Sequence, residues 1–281
     1  MEKFEFCGLK DGPTLLILGG VHGNEPAGIV ATRRLVDGLQ SRALTLNSGR
    51  VVCVPLVNGP AFEKDVRFID RNLNRILGEE DASDIEGAIA QNLRPILRDC
   101  DYLLDLHSYT AGGPPFLFGA DDAKTMAFAA SLPASCVITG WDACYKAAFP
   151  DKPAPGMGTT EYARAHGVCG VTYECGQHKD LEGPDNGYAA ILGALAHTGL
   201  MAAANGTASA KAPRHIEMRH VFVKQSAGDF VKPWKHLEEI RAGEAFARFD
   251  DGTVQAASQD GLIILPHRGV GIGTEWGYLG V

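Results

Sequence analysis

The sequence predicts an α/β fold, a mixed sheet flanked by helices, followed by a small C-terminal all-β domain. Three observations carry that expectation. From Thr14 to about Ala203, short apolar runs alternate with longer amphipathic stretches. Strands alternating with helices imply right-handed crossovers and a largely parallel or mixed sheet covered on both faces. After Ala204 the texture changes to short strand-like runs punctuated by Gly and Asp-Gly turn signals. Finally, the chain has 281 residues, 45% of them hydrophobic, enough for one substantial core plus a smaller annex. The expected division is an α/β domain over residues 1–205 and a β-rich, barrel-like appendage over 213–281, joined by the polar stretch NGTASAKAP.

Residues 14–19 (TLLILG) read as a buried strand, since the apolar run is short and uninterrupted. Residues 26–39 read as a helix, opened by Pro26 in the favoured first helical position. Residues 50–57 (RVVCVPLV) read as a second strand, which Pro55 should bend or confine to a sheet edge. A polar loop rich in Asn and Arg follows over 58–78. Residues 84–97 read as a helix and 102–106 (YLLDL) as a strand. Further strands are expected over 116–118, 137–139 and 168–173, and further helices over 159–165 and 184–200. In the tail, HIEMRHVFVK, GDFVKPW, EEIRAGEAFARF, DGTVQAA, DGLIILP and TEWGYLG are strand-like. No repeat of solenoid period is present.

Lys plus Arg total 26 against 34 Asp plus Glu, a formal charge of -8. Without basic blocks such a chain is a poor partner for nucleic acid, whose binding depends on neutralising phosphates. A small anionic ligand held by a few local arginines is not excluded. The charged N-terminus lacks an apolar signal segment, and no run reaches the roughly 18 apolar residues of a membrane span, so no membrane partner is expected. The seven cysteines include no C-x-x-C pair, which indicates neither a disulfide framework nor a zinc ribbon. A reducing cytoplasm is the expected compartment.

His22 and Glu25 form an H-x-x-E pair directly after the first predicted strand, within GGVHGNEPAG. Open α/β sheets bind ligands beyond the carboxyl ends of their strands, which is where His22 would stand. Imidazole and carboxylate suit zinc, and a hydrolytic site needs a third ligand and an open position. His107, at the end of YLLDLH, has the right character, and Asp105 would share its strand face and orient its ring. The alternative is that both histidines are merely hydrogen-bonded at strand ends. The loop DVRFIDRNLNR places Arg67, Arg71, Asn72, Asn74 and Arg75 close together. It is either a solvated patch or a carboxylate clamp, since arginine's fork binds carboxylates bidentately. Glu174, after the apolar run VTY, is either a capping or salt-bridged group or a general base.

Taken together, GGVHGNEPAG, the pattern from Arg67 through NLNR, DLHSYT and YECG resemble, in that order, the aspartoacylase/succinylglutamate desuccinylase family. The family is related to the zinc carboxypeptidases, and the resemblance covers about residues 13 to 200. It implies a zinc-carboxypeptidase-like mixed sheet and makes residues 1–205 the catalytic domain. It implies one Zn2+ per chain held by His22, Glu25 and His107, with Glu174 as general base for a zinc-activated water. Arg67 would polarise the scissile carbonyl, and Asn74 with Arg75 would grip a substrate carboxylate. The implied activity is that of a zinc-dependent amidohydrolase, an N-acyl amino acid deacylase. Its expected partner is a small N-acylated amino acid, and homo-oligomer formation is left open.

The sequence also departs from aspartoacylases, which usually carry an acidic residue where Asn72 stands. In GMGTTEYARAHG, Arg164 would match a second, substrate-binding arginine of that group. Alignment on Thr159 and Thr160 instead puts Glu161 there, which would favour a cationic or neutral substrate group; both residues could equally lie on a solvated helix face. The tail has the turns of a lipoyl- or biotinyl-like barrel, but its hairpin TVQAASQ has no lysine for a cofactor. A structural role is expected for it. The alternatives to a deacylase are a zinc carboxypeptidase or amidase acting on short peptides, or a non-catalytic carboxylate-binding protein.

Overall fold

The apolar run 15–18 is fully buried because it lies inside a sheet with helices packed on both faces. The computed structural model describes residues 1–150, 156–202 and 212–281, and these form two compact units. The first unit contains Met1–Ser108, Pro114–Val137 and the described residues from Gly156 to Arg214. Its strands are β1 (Phe4–Cys7), β2 (Thr14–Gly19), β3 (Arg50–Val54), β4 (Tyr102–Tyr109) and β5 (Phe116–Phe118), followed after β6 (Cys136–Thr139) by β7 (Cys169–Gln177). They are ordered β1-β3-β2-β4-β7-β5. β2 runs parallel to β3 and β4, whereas β1 is antiparallel to β3 and β5 to β7. The sheet is therefore mixed.

Its helices are α1 (Pro26–Gln40), α2 (Gly59–Glu63), α3 (Ile85–Arg98), α4 (Ala123–Ala130), then, beyond α5 (Trp141–Ala148), α6 (Thr159–Ala165) and α7 (Gly183–His197). Alternation along β2 divides the core. Leu15 and Ile17 pack with Ala31 and Leu35 of α1 and with Ala190, Ile191 and Ala194 of α7. Leu16 and Leu18 pack on the other face, with Ala90, Leu93 and Leu97 of α3 and Tyr162 of α6. A strand buried on both faces reads as a continuous apolar run, as TLLILG does.

β3 and β4 flank β2 on opposite sides, so the path of the chain diverges at the carboxyl end of β2. That is the position at which open α/β sheets form ligand crevices. The register pairs Leu18 with Asp105 and Gly19 with Leu106, which brings His107 level with the turn after β2.

Several boundaries differ from the sequence expectation. β3 stops at Val54, before Pro55, and is not an edge, because the unanticipated β1 pairs along it. β4 continues to Tyr109 and β7 to Gln177, so His107 and Glu174 lie inside strands, not beyond their ends. α4 and α5 were also unanticipated.

The second unit gathers Tyr109–Gly113, a segment starting at Ile138, and His215–Val281. Its strands are β8 (Arg214–Val223), β9 (Gly228–Phe230), β10 (Glu238–Ile240), β11 (Ala245–Phe249), β12 (Val254–Ala256), β13 (Gly261–Ile264) and β14 (Glu275–Gly280). β8, β14, β13 and β10 pair antiparallel in that order, as do β12, β11 and β9. Phe222, Phe246 and Trp276 centre its aromatic core. Of the polar stretch read as a linker, all but its last two residues lie outside the described residues. Among the described residues no helix is long and apolar enough to cross a membrane.

Candidate metal centre and active site

His22 stands in the turn after β2. Gly23 lets that turn press against α2, since a Cβ there would lie 2.1 Å from the Ala61 carbonyl carbon. Glu25 occupies the N-cap position of α1, yet its side chain makes no cap hydrogen bond. It turns inward instead. His22 Nδ1 lies 2.9 Å from Glu25 Oε1, and His107 Nδ1 lies 3.0 Å from Glu25 Oε2. The two Nδ1 atoms are 3.1 Å apart, and all three side chains are buried.

The rings' other nitrogens are committed elsewhere. His22 Nε2 bonds Asn72 Oδ1 at 3.0 Å, and His107 Nε2 bonds Asp105 Oδ2 at 2.9 Å. Those acceptors place the ring protons on Nε2 and leave both Nδ1 atoms facing inward, the arrangement by which outer hydrogen bonds orient metal-ligating histidines. Zinc bonds of about 2.0–2.1 Å in a tetrahedron put neighbouring ligand atoms roughly 3.3 Å apart. The observed separations are close to that edge. The donor set of two imidazoles and one carboxylate fits a zinc-type ion.

Charge is partitioned across the three groups. Burial lowers His22 to about 4, reinforced by Arg67 and His107 against the pull of Glu25. Burial also works to raise Glu25, but His22 and His107 outweigh it and hold the carboxyl well below its ordinary range. For His107 burial is overcome by Asp105 and Glu25, which raise it well above the ordinary value. The centre thus holds a carboxylate, a neutral ring and a ring whose extra proton a cation would displace.

Glu25 is gripped further, by Arg67 Nη1 on Oε1 at 2.7 Å and by the Ser108 N–H on Oε2 at 3.0 Å. Arg67 is therefore at the centre. Its loop is anchored from below by Glu86, a fully buried carboxylate on α3. Glu86 accepts from Asn58 Nδ2 and the backbone N–H groups of Ile69, Asp70 and Arg71. Arg71, which the sequence grouped with the carboxylate clamp, is diverted. It pairs with Glu79 at 2.6 Å and with Asp84. The Asp70, Asp84 and Glu86 cluster is thus satisfied by Arg71 and by backbone donors.

Asn74 and Arg75 form the 3-10 turn Leu73–Arg75. Asn74 Oδ1 accepts the Thr159 N–H at 2.8 Å, and Arg75 Nη1 donates to the Asn74 carbonyl at 2.6 Å. Thr159 Oγ1 also donates to Asp105 Oδ2, so this buried hydroxyl joins the orienter of His107 to the Asn74 turn. Arg164 does not stand open: Nη2 donates to Glu161 Oε1 and Nη1 to the Gly170 carbonyl, each at 3.0 Å.

Glu174, on β7, is buried, and among the described residues its Oε2 has no hydrogen-bond partner. Burial pushes its carboxyl up to about 8, with His107 and Arg67 opposing and Glu25 adding repulsion. It is therefore within the electrostatic reach of the His22, Glu25 and His107 group. Sequence reasoning missed Glu86, and also Ser108, whose Oγ lies 2.8 Å from His178 Nδ1. A buried glutamate in a helix, or a serine following DLH, carries no distinctive spacing to reveal it.

Residues 11–186 match the family model described as the succinylglutamate desuccinylase/aspartoacylase catalytic domain. The chain belongs to this family. Among curated members, the N-alpha-acetyl-L-2,4-diaminobutyric acid deacetylase of Halomonas elongata is 37% identical over 102 residues, 35% of this chain and 29% of that protein. An aspartoacylase of Danio rerio is 35% identical over 79 residues, 28% of this chain and 24% of that protein. These aligned stretches span less than half of either relative. A succinylglutamate desuccinylase/aspartoacylase structure from Rhodobacter sphaeroides shares the fold, with a TM-score of 0.74 and 24% identity over 97% of this chain and 86% of that one.

Proposed function

We propose that the chain is a zinc-dependent hydrolase that cleaves the amide bond of an N-acyl amino acid. Residues 1–205 are its catalytic unit and residues 213–281 its β-rich appendage. The observation that carries this reading is the inward convergence of His22, Glu25 and His107, within electrostatic reach of a buried carboxylate, Glu174, whose Oε2 has no partner among the described residues. His22, Glu25 and His107 would hold one Zn2+ per chain. The chemistry that ion supplies when bound is Lewis acidity toward a carbonyl and acidification of water.

The remaining work falls to the chain's own residues. Glu174 takes the proton of the attacking water at its free oxygen and returns it to the departing amine. A carboxylate raised by burial is matched to both halves of that task, since it is a stronger base toward the water and still holds the accepted proton near neutral pH until the amine departs. Arg67 spends one nitrogen on Glu25 and has the rest of its fork for the developing oxyanion. Asn74 and Arg75 hold the substrate's α-carboxylate. Asp105 and Asn72 keep the two rings in the tautomer that points Nδ1 inward.

The names of the relatives support amide deacylation and leave the side chain of the amino acid open, because one is named for diaminobutyric acid and another is an aspartoacylase. The test is hydrolysis of an N-acyl amino acid panel by stripped and zinc-reloaded protein. About one zinc per chain is expected, with turnover lost on chelation and restored by zinc. Turnover of short peptides without turnover of N-acyl amino acids would overturn the substrate assignment. Full metal content and turnover in His22→Ala would overturn the metal site.

A further inference from the structure

On their outer sides, His22 and His107 are joined by a continuous path of hydrogen bonds. His22 Nε2 donates to Asn72 Oδ1 at 3.0 Å, and the same oxygen accepts the Asn74 N–H at 3.0 Å. Asn74 Oδ1 in turn accepts the Thr159 N–H at 2.8 Å. The Thr159 hydroxyl donates to Asp105 Oδ2, which also accepts from His107 Nε2 at 2.9 Å. Thr159 is where the two halves of the path meet. Its N–H serves the His22 side and its hydroxyl the His107 side. Gly158 keeps the first arm open, since a Cβ there would stand 2.5 Å from Asn74 Oδ1.

We infer that Thr159 is a positioning residue of the proposed hydrolase, locking the Asp105 carboxylate against His107 with its hydroxyl while its N–H holds the Asn74 turn. The inference rests on the zinc hydrolase reading and adds a residue to its machinery. The hydroxyl is not spent on capping its own helix, because α6 begins at Gly158 with no side-chain cap. A hydroxyl has one proton to give, and Asn74 Oδ1 also lies 3.3 Å from Thr159 Oγ1. The closer contact and the carboxylate acceptor assign that proton to Asp105. Asp105 depends on it. Among the described residues its other oxygen, Oδ1, has no hydrogen-bond partner, so the side-chain bonds of the carboxylate are those at Oδ2. With His107 as its one partner the carboxylate could pivot about that bond, and a second donor at the same oxygen fixes its plane. Thr159 and Asp105 are both fully buried, so bulk water does not stand in for either. A ring oriented in this way presents Nδ1 inward at one angle, which is how outer hydrogen bonds raise metal affinity.

The test compares full-length wild type with Thr159→Val, which exchanges the hydroxyl for a methyl, and Thr159→Ser, which keeps the hydroxyl. Zinc affinity of the metal-free proteins is measured by competition with a chromogenic chelator, beside their melting temperatures. Thr159→Val should bind zinc on the order of 10- to 100-fold more weakly, the range for losing a group that orients a metal-binding histidine. Thr159→Ser should stay near wild type. At saturating zinc, Thr159→Val should also raise KM for N-acyl amino acids more than for their α-amides, because a loosened start of α6 carries the N–H that holds Asn74. Thr159→Ala, which sets no methyl against the carboxylate, serves if Thr159→Val does not fold. A lowered melting temperature with wild-type zinc affinity would make Thr159 a packing residue and overturn the inference, as would zinc affinity that Thr159→Ser fails to restore. A wild-type protein that takes up no zinc would remove the metal reading itself, and the inference with it.

Discussion

Replacing Glu86 by Gln removes one negative charge from beneath the loop that carries Arg67 and Asn72. The carboxylate takes four N–H donors: Asn58 Nδ2 at 3.0 Å and Ile69 at 2.8 Å on Oε1, Asp70 at 2.9 Å and Arg71 at 3.2 Å on Oε2. Burial works to raise its pKa, but these donors prevail and hold it below the ordinary carboxylate range. In glutamine one oxygen becomes an amide nitrogen, which must face either the first pair of donors or the second. Two hydrogen bonds to a charge are lost, each worth about 1.5–3 kcal/mol, so the cost is about 3–6 kcal/mol. The cheapest escape is for residues 69–71 to lift away and hydrate their N–H groups. Loss of protection against hydrogen exchange in the loop peptide should then be on the order of 100- to 10,000-fold. The fall in melting temperature should be on the order of 10 °C. The same anchor predicts an acid limit. Because the folded pKa is depressed, its stabilisation is present above the ordinary value of about 4.3 and is lost as pH falls through the folded value. Wild type should therefore release the loop only in acid, and Glu86→Gln should show no such step. Exchange mass spectrometry covering residues 64–76 checks both statements. A folded Glu86→Gln protein with wild-type protection at 69–71 would refute the reasoning.

Two further outcomes follow from the site. Glu174→Gln should lose on the order of 10²- to 10⁴-fold in turnover while keeping its zinc. Because the folded pKa of Glu174 is raised to about 8, the acid form's contribution is present below the ordinary carboxylate value and lost as pH rises through 8. The melting temperature of metal-free wild type minus that of Glu174→Gln should accordingly fall between pH 5 and pH 8, and a flat difference would count against the burial argument. Arg75→Ala should raise KM for carboxylated substrates about 10- to 100-fold, the value of a charge-assisted hydrogen bond, with zinc per chain unchanged. An equal loss on α-amidated substrates would place Arg75 outside the clamp.

The parts of the fold that were legible are those in which burial and polarity agree. β2 announces itself because both of its faces are covered, so every position from Leu15 to Leu18 is apolar. β4 and β7 were cut short for the opposite reason. Their apolar pattern fails at His107, Ser108 and Glu174, which are polar yet buried, and the sequence reads them as the start of a loop. They remain in the strands because their polar groups have tasks or partners: His107 on Asp105 and Glu25, Ser108 on Glu25 and His178. Local rules are expected to fail first where function holds polar groups inside a core. β1 was missed on other grounds, since four alternating residues with two exposed glutamate and cysteine positions leave little for a pattern to act on.

Within the site, what spacing reveals is the residue and not its connections. The placement of His22, Glu25 and His107 could be anticipated from strand ends and an H-x-x-E pair, because groups proposed to hold one ion must converge on a small volume, and these do. The fate of Arg71 could not, since the choice between a substrate carboxylate and Asp84 depends on where α3 starts. Thr159 is the clearest case. One hydroxyl touches Asp105 while the adjacent N–H holds Asn74, so the orientation of the His107 ring and the position of the Asn74 turn are set by a single residue from a third segment. No motif records that link, because it joins three stretches of chain that meet only after the sheet has formed. The proposed metal centre and the proposed carboxylate clamp are therefore one connected structure, and a change at Thr159 should disturb both.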